Sequence, residues 1–407
     1  MMMNNQRIWQ ESQRLLPWLR EIRRDFHQYP ELGLEEFRTR DQIVHYLTEL
    51  NIPCKVVAKT GVLGWIEGTA LNEQSAKGRT VALRADMDAL PILEQNNISY
   101  RSTADGKMHA CGHDVHMTVQ LGVARILSEQ RENFSGTVKL LFQPAEETVG
   151  GAVPMIQEGV LDNPQVDAIF GLHVAPDLPV GHIGVKYGQM NASSDTLHLK
   201  IRGENAHGAY PHMGRDAIVI AAQVIVALQT VVSRNVDPRQ SAVVSLGTIQ
   251  GGTQGNIMAG EVRLTGTVRT LDARVRTLVK QRVREVAQLT AQGLGGEAIV
   301  EWEEGYTSLV NHSSMVDLVN ACGENLLGKE KVRVNEWPSL GVEDFAFFLE
   351  RVPGAFYQLG CRNETLGITY PLHHPRFGVD EGCLAIGAAM QVCNVLSFLR
   401  MENMPSQ

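Results

Sequence analysis

Within ten positions, Met108 to Met117, the chain reads MHACGHDVHM and carries His109, Cys111, His113, Asp114 and His116. Cys111 and His113 are one residue apart, so an irregular turn can present a thiolate and an imidazole to one metal ion, and Gly112 permits that turn. A helix with His109 and His113 four apart would resemble the zinc-binding HExxH helix, but Ala110 replaces its glutamate and Gly112 weakens the helix. Other donors must come from elsewhere. FQPAEE ends an apolar run with adjacent Glu146 and Glu147; one can bind metal while the other acts as general base on a water. Taken alone, the pair also fits a helix N-terminus carrying stabilising acids. FGLHV supplies His173, and YPLHHPRF supplies His373 and His374 in a loop stiffened by prolines. RADMDAL supplies Asp86 and Asp88, one of which can orient a ligating histidine; Asp86 is assigned to the catalytic set. Mixed sulfur, nitrogen and oxygen donors suit Zn²⁺ and its neighbours better than Mg²⁺ or Ca²⁺, and five ligands exceed what one catalytic zinc takes, which argues for two divalent ions.

These residues need elements to hold them. LEEFRTRDQIVHYLTEL, residues 34–50, reads as an amphipathic helix, and TVALRADMDAL, GTVKLLFQPAEE and VDAIFGLHV read as short buried strands that run into polar residues. A helix over residues 116–130 separates the first two strands. The alternation is that of a doubly wound α/β layer, whose ligands collect at the carboxyl ends of strands. From about Asn191 the rhythm changes to β-α-β-β-α-β, the order of a ferredoxin-like α+β sandwich, with Val275, Leu278, Val279, Val283 and Val286 at helical spacing in its second helix. The expected organisation is a catalytic domain in two pieces, 1–189 and 304–407, interrupted by an inserted domain, 190–303.

The 407 residues are 43% hydrophobic and 20% charged, with 37 Lys plus Arg against 45 Asp plus Glu and a formal charge of -8. No basic run is present, so a nucleic-acid partner is not expected. No apolar window is expected to reach the roughly 18 residues of a membrane span, and the N-terminal stretch lacks an apolar signal core, so the expected location is the cytoplasm. The six cysteines form no CxxC pair and read as free thiols. GxSxG, GxxxxGK[ST] and zinc-deaminase motifs are absent.

MHACGHD, QPAEE, GLHV, GENAHGAYPHMGRDA, GGTQGN, SLGVEDF and LHHPRFG, in this order, resemble the aminoacylase/carboxypeptidase metallopeptidases. The branch is that of hippurate hydrolases, N-acyl-amino-acid amidohydrolases and plant enzymes that release indoleacetic acid from amino-acid conjugates. The resemblance implies a di-metal catalytic domain with a mixed central sheet and an inserted satellite domain used for dimerisation. It implies Cys111, His113, Glu147, His173 and His373 as metal ligands, with Zn²⁺ foremost and Mn²⁺ or Co²⁺ as alternatives, and Glu146 as general base. His207 resembles a histidine that reaches a partner subunit's active site to stabilise the oxyanion, and Asn256 resembles a substrate-binding residue. Relatives outside this branch carry a histidine ligand where Arg84 stands and a bridging aspartate where Cys111 falls, so the cysteine marks a variant site. Arg269 reads as a surface arginine. The implied activity is hydrolysis of N-acyl amino acids by a metal-activated water, with short-peptide carboxypeptidase or dipeptidase action as the alternative. A non-catalytic metal protein would not need Glu146 beside Glu147.

Overall fold

Short apolar runs that end in polar residues become strands, and the longer periodic runs become helices. The computed structural model describes residues 3–70 and 78–401. Its first part runs α1 (Asn5–Gln28), α2 (Phe37–Glu49), β1 (Cys54–Val57), β2 (Gly61–Thr69), β3 (Thr80–Asp86), α3 (His113–Ser128), β4 (Ser135–Gln143), α4 (Ala152–Gln157), β5 (Ala168–Pro179) and β6 (Ile183–Val185). There follow β7 (Gly188–Asn191), β8 (Ser193–Arg202), α5 (Ala217–Thr230), β9 (Ala242–Gly251), β10 (Glu261–Thr270), α6 (Ala273–Gly293) and β11 (Glu297–Glu304). The last part holds β12 (Leu309–Asn311), α7 (Ser313–Leu327), β13 (Val332–Val334), α8 (Ala346–Leu349), β14 (Gly354–Arg362) and α9 (Gly382–Leu399).

Two units result, each with its own apolar core. The first comprises Met1–Gly188, Asn311–Glu336 and Phe347–Gln407. Its sheet has the order β1-β2-β4-β3-β5-β14-β6-β13 and is mixed. The neighbours β4, β3, β5 and β14 are parallel, while β1/β2, β2/β4 and β14/β6 are antiparallel. This unit is therefore mixed α/β, and the parallel centre explains the continuous apolar runs: β3 is buried at every position. Helix α3 is buried except at Arg125 and Ser128, and α9 is buried along nearly its whole length.

The second unit comprises Gln189–Val310 and Trp337–Ala346. The four strands of its larger sheet lie in the order β11-β8-β10-β9, all pairs antiparallel. Leu197, Leu199 and Ile201 of β8 pack with Val275, Val279 and Val283 of α6 in one core, whereas Leu278 points outward. The unit extends beyond residue 303 to Val310 and takes in 337–346, which the sequence pattern alone leaves with the C-terminal third. A second difference concerns apolar length. Gly382–Leu399 and Ala217–Asn235 are both long and apolar enough to cross a membrane by length and composition, contrary to the expectation of no such window. The first is mostly buried in the core; the second is only one-third buried, with Ile218, Val219 and Val226 of α5 exposed.

Candidate metal centre

The parallel strands β4, β3 and β5 bring their polar ends side by side. Asp86 closes β3, Glu146 and Glu147 lie just past β4, and His173 sits within β5. Gly112 has φ of +83 and stands at the N-cap of α3, so the helix begins at His113 rather than at residue 116. The glycine that reads as a helix breaker is the left-handed turn that starts the helix. A Cβ there would collide with Val174 Cγ2.

All five residues expected as ligands converge within the first unit. Cys111 Sγ is 3.4 Å from His173 Nε2. Glu147 Oε1 is 3.0 Å from His373 Nε2 and 4.0 Å from His113 Nε2. Donor atoms of Cys111, Glu147 and His373 lie within 4.8 Å of one another, as do those of His113, Glu146 and Glu147. His373 adopts a left-handed φ of +62, and its amide donates to the Ala110 carbonyl at 2.8 Å, which docks its loop on the cysteine turn. His374 is turned to other contacts: its ring stacks on Tyr370 at 4.4 Å and its Nδ1 accepts the Arg376 amide at 3.0 Å. His109 joins no donor group among the described residues; its ring is fully buried, and burial pushes it down to about 3.

The sequence leaves open which of Asp86 and Asp88 faces a ligating histidine. It is Asp88 Oδ1 that lies 3.3 Å from His113 Nδ1, while its two oxygens also accept the Glu146 and Glu147 amides, each at 3.0 Å. Asp86 binds Arg84 Nη1 at 2.6 Å and His116 Nδ1 at 2.5 Å, and is 3.9 Å from His113 Nε2. His116, which the sequence leaves without a role, is grouped with Asp86, His113 and His173. Both its nitrogens are engaged, since Nε2 accepts the Val174 amide at 2.9 Å, and burial pulls it down to about 4 even though Asp86 favours its charged form. It is a neutral strut between β3 and β5. Its spacing from His113, on one helix face, is the signal that could have found it.

The residues fit a divalent metal. His113 is fully buried, yet its Nε2 has no hydrogen-bond partner among the described residues. Burial pushes the Cys111 thiol well up, so a thiolate there needs a cation beside it. Burial alone would raise Glu147 as well, but the hydrogen bond from His373 and the charge of His113 hold it at about 2, ionised and ready to ligate. Glu146 is buried, 8% exposed, beside these donors.

A buried ionic network anchors the turn. Asp114 Oδ2 accepts from Arg23 Nε and from His27 Nδ1, both at 2.8 Å, and His27 Nε2 reaches Glu94 at 3.1 Å. Burial would raise the Asp114 carboxyl, but Arg23 and His27 hold it well below the usual carboxylate range.

In the second unit His207 and Asn256 are exposed neighbours. The Gly208 amide donates to the Asn256 carbonyl at 2.8 Å, and the His207 Nδ1 accepts the Ala209 amide at 3.0 Å. Arg269, expected at the surface, is partly buried, with Nη1 lacking a hydrogen-bond partner among the described residues.

Comparison with known proteins identifies the family. Residues 82–395 match the model of Peptidase family M20/M25/M40. The chain is 43% identical to an N-acetyl-L-cysteine deacetylase of Bacillus subtilis, over 88% of this chain and 83% of that protein. It is 37% identical to thermostable carboxypeptidase 1 of Saccharolobus solfataricus, over 94% and 95% of the two chains. A crystal structure of a dinuclear metal-binding peptidase from the M20 family of Bacillus subtilis superposes with a TM-score of 0.83 at 36% identity, covering 95% of this chain and 99% of that one. The chain belongs to peptidase family M20/M25/M40 and is a metal-dependent hydrolase.

Proposed function

We propose that the protein hydrolyses the amide bond of N-acyl amino acids, releasing a carboxylic acid and a free amino acid, with Cys111, His113, Glu147, His173 and His373 holding two divalent ions, Zn²⁺ foremost. The observation that carries this reading is the convergence of those five donors, with buried Glu146 beside two of them, His113 and Glu147, within 4.8 Å. When bound, such ions polarise a carbonyl and lower the pKa of a water toward about 7. Glu146 then takes the proton of the attacking water and delivers it to the leaving amine nitrogen. Asp88 keeps the His113 ring oriented, and Asp86 acts one step further back, through His116.

His207 and Asn256 are proposed to bind substrate, His207 by stabilising the oxyanion in a partner subunit's site. Support for a dimer through the second unit comes from its two sheet edges. Strand β11 carries Glu297, Glu301, Glu303 and Glu304, whereas β9, AVVSLGTIQG, has no charge and leaves its outer side unpaired among the described residues, next to the apolar face of α5.

The test is to strip the protein with chelator, restore Zn²⁺, Mn²⁺ or Co²⁺ separately, and follow amino-acid release from N-acetyl, N-benzoyl and N-indoleacetyl amino acids beside plain dipeptides. Metal-dependent release from an acyl class, abolished in Glu146→Gln with metal content intact, supports the reading. Loss of metal in that variant would make Glu146 a ligand, and silence on every substrate would remove the proposal. The carboxypeptidase relative makes peptide cleavage the second reading, and faster dipeptide turnover would select it.

A further inference from the structure

Behind the Glu146–Glu147 loop lies a fully buried acid that the mechanism does not use. Glu36 stands at the N-cap of α2, where an acidic side chain would ordinarily face its own helix amides, yet it makes no such bond. Glu31 does that instead: its Oε1 accepts the Arg38 amide at 3.1 Å and its Oε2 the Thr39 amide at 2.8 Å. The Glu36 carboxyl reaches 109 residues along the chain, where Oε1 accepts the Ala145 amide at 2.9 Å, while Oε2 accepts the Thr60 hydroxyl at 2.6 Å. Ala145 has φ of +56, a left-handed conformation that is strained for an alanine and needs outside support. Gly33 closes on the same loop, since a Cβ there would stand 2.5 Å from Thr148 Oγ1 and 3.1 Å from Ala145 Cα. Three successive amides, those of residues 145, 146 and 147, are thus each held by a buried carboxyl, the first by Glu36 and the next two by Asp88.

We infer that Glu36 is a positioning residue for the reaction: through the Ala145 amide it holds the left-handed turn that aims Glu146 at the attacking water and Glu147 at the metal. The inference rests on the proposed function and deepens it. What the position requires is a hydrogen-bond acceptor rather than a charge. Burial, with Asp88 adding to it, pushes the Glu36 carboxyl up to about 7, so an uncharged side chain of the same shape can serve. Glutamine can accept the Ala145 amide with Oε1 and donate to the Thr60 oxygen with Nε2. Alanine offers no acceptor, and aspartate is one methylene too short to reach.

The experiment compares Glu36→Ala, Glu36→Asp and Glu36→Gln by two readouts. The first is kcat and KM on the substrate that the wild type cleaves best, at equal metal content. The second, independent of turnover, is amide hydrogen exchange of the 143–149 peptide in the metal-free protein. A shift of about 1 Å in a catalytic group costs on the order of a hundredfold. Expected, therefore, is a kcat lower by about a hundredfold in the alanine and aspartate variants with KM within threefold, loop exchange at least tenfold faster, and a glutamine variant within threefold of wild type on both. If the alanine variant does not fold, the aspartate variant carries the test. Wild-type kcat and loop exchange in the shortened variants, whatever their melting temperature, would overturn the inference, as would a glutamine variant as impaired as the aspartate one. A wild type inactive on every substrate would sink the functional reading, and loop exchange would still decide whether Glu36 holds the turn.

Discussion

Asp114→Asn removes one charge from the network beside the metal centre and keeps its shape. The Arg23 side chain is 2% exposed and its Nε lies 2.8 Å from the Asp114 carboxylate, which is 0% exposed. Removing one partner of such a buried pair strands the other and costs about 3–5 kcal/mol. Glu381 remains 3.5 Å from Arg23 Nη1 but is 10% exposed, so it offsets part of the loss and moves the expectation to about 3 kcal/mol. For a chain of 407 residues that corresponds to a fall in Tm of about 3–4 °C. The assay is urea unfolding of the metal-free protein by tryptophan fluorescence, since Trp9 and Trp18 lie on α1, the helix that carries Arg23. The double variant Arg23→Met/Asp114→Asn, with no stranded charge, should recover at least about 1 kcal/mol of the loss. A single variant within about 1 kcal/mol of wild type, or a double variant no more stable than the single, would refute the reasoning.

Two other perturbations follow from the same geometry. Gly112→Ala forces a left-handed alanine against Val174 Cγ2 and should cost about 2–4 kcal/mol while lowering zinc occupancy after dialysis; full occupancy measured by metal analysis would contradict the role given to this turn. Val226→Glu, on the exposed face of α5 at 66% exposure, should halve the mass seen by sedimentation while changing stability by less than about 0.5 kcal/mol; a wild type already monomeric would remove the basis for it.

Which of these features are legible in the sequence follows from the range of the forces involved. Strand periodicity and the polar ends of strands are local, so the segments bearing Cys111, His113, Glu147, His173 and His373 stand out from residue type and spacing alone. Contacts between distant segments do not. That Asp88 rather than Asp86 faces His113 depends on how β3 ends beside the β4 loop, and that Glu36 serves Ala145 depends on a bond across 109 residues. A start of α3 at residue 116 falls three residues late because a glycine's left-handed conformation leaves no trace in propensity; the same residue type breaks helices and opens them. The apolar length of α5 is hidden in the sequence because single polar residues such as Gln223 interrupt it without much reducing its mean apolarity.

The two edges of the small sheet also bear on the stoichiometry of the proposed dimer. A sheet that could add strands on both sides would polymerise without limit, whereas β11 carries four glutamates and β9 no charge, so the proposed dimer would use β9 as its border. In the dimer proposed above, self-pairing of a single border would be isologous: each copy would use up the edge that it offers, a two-fold axis would close the assembly, and growth would stop at two.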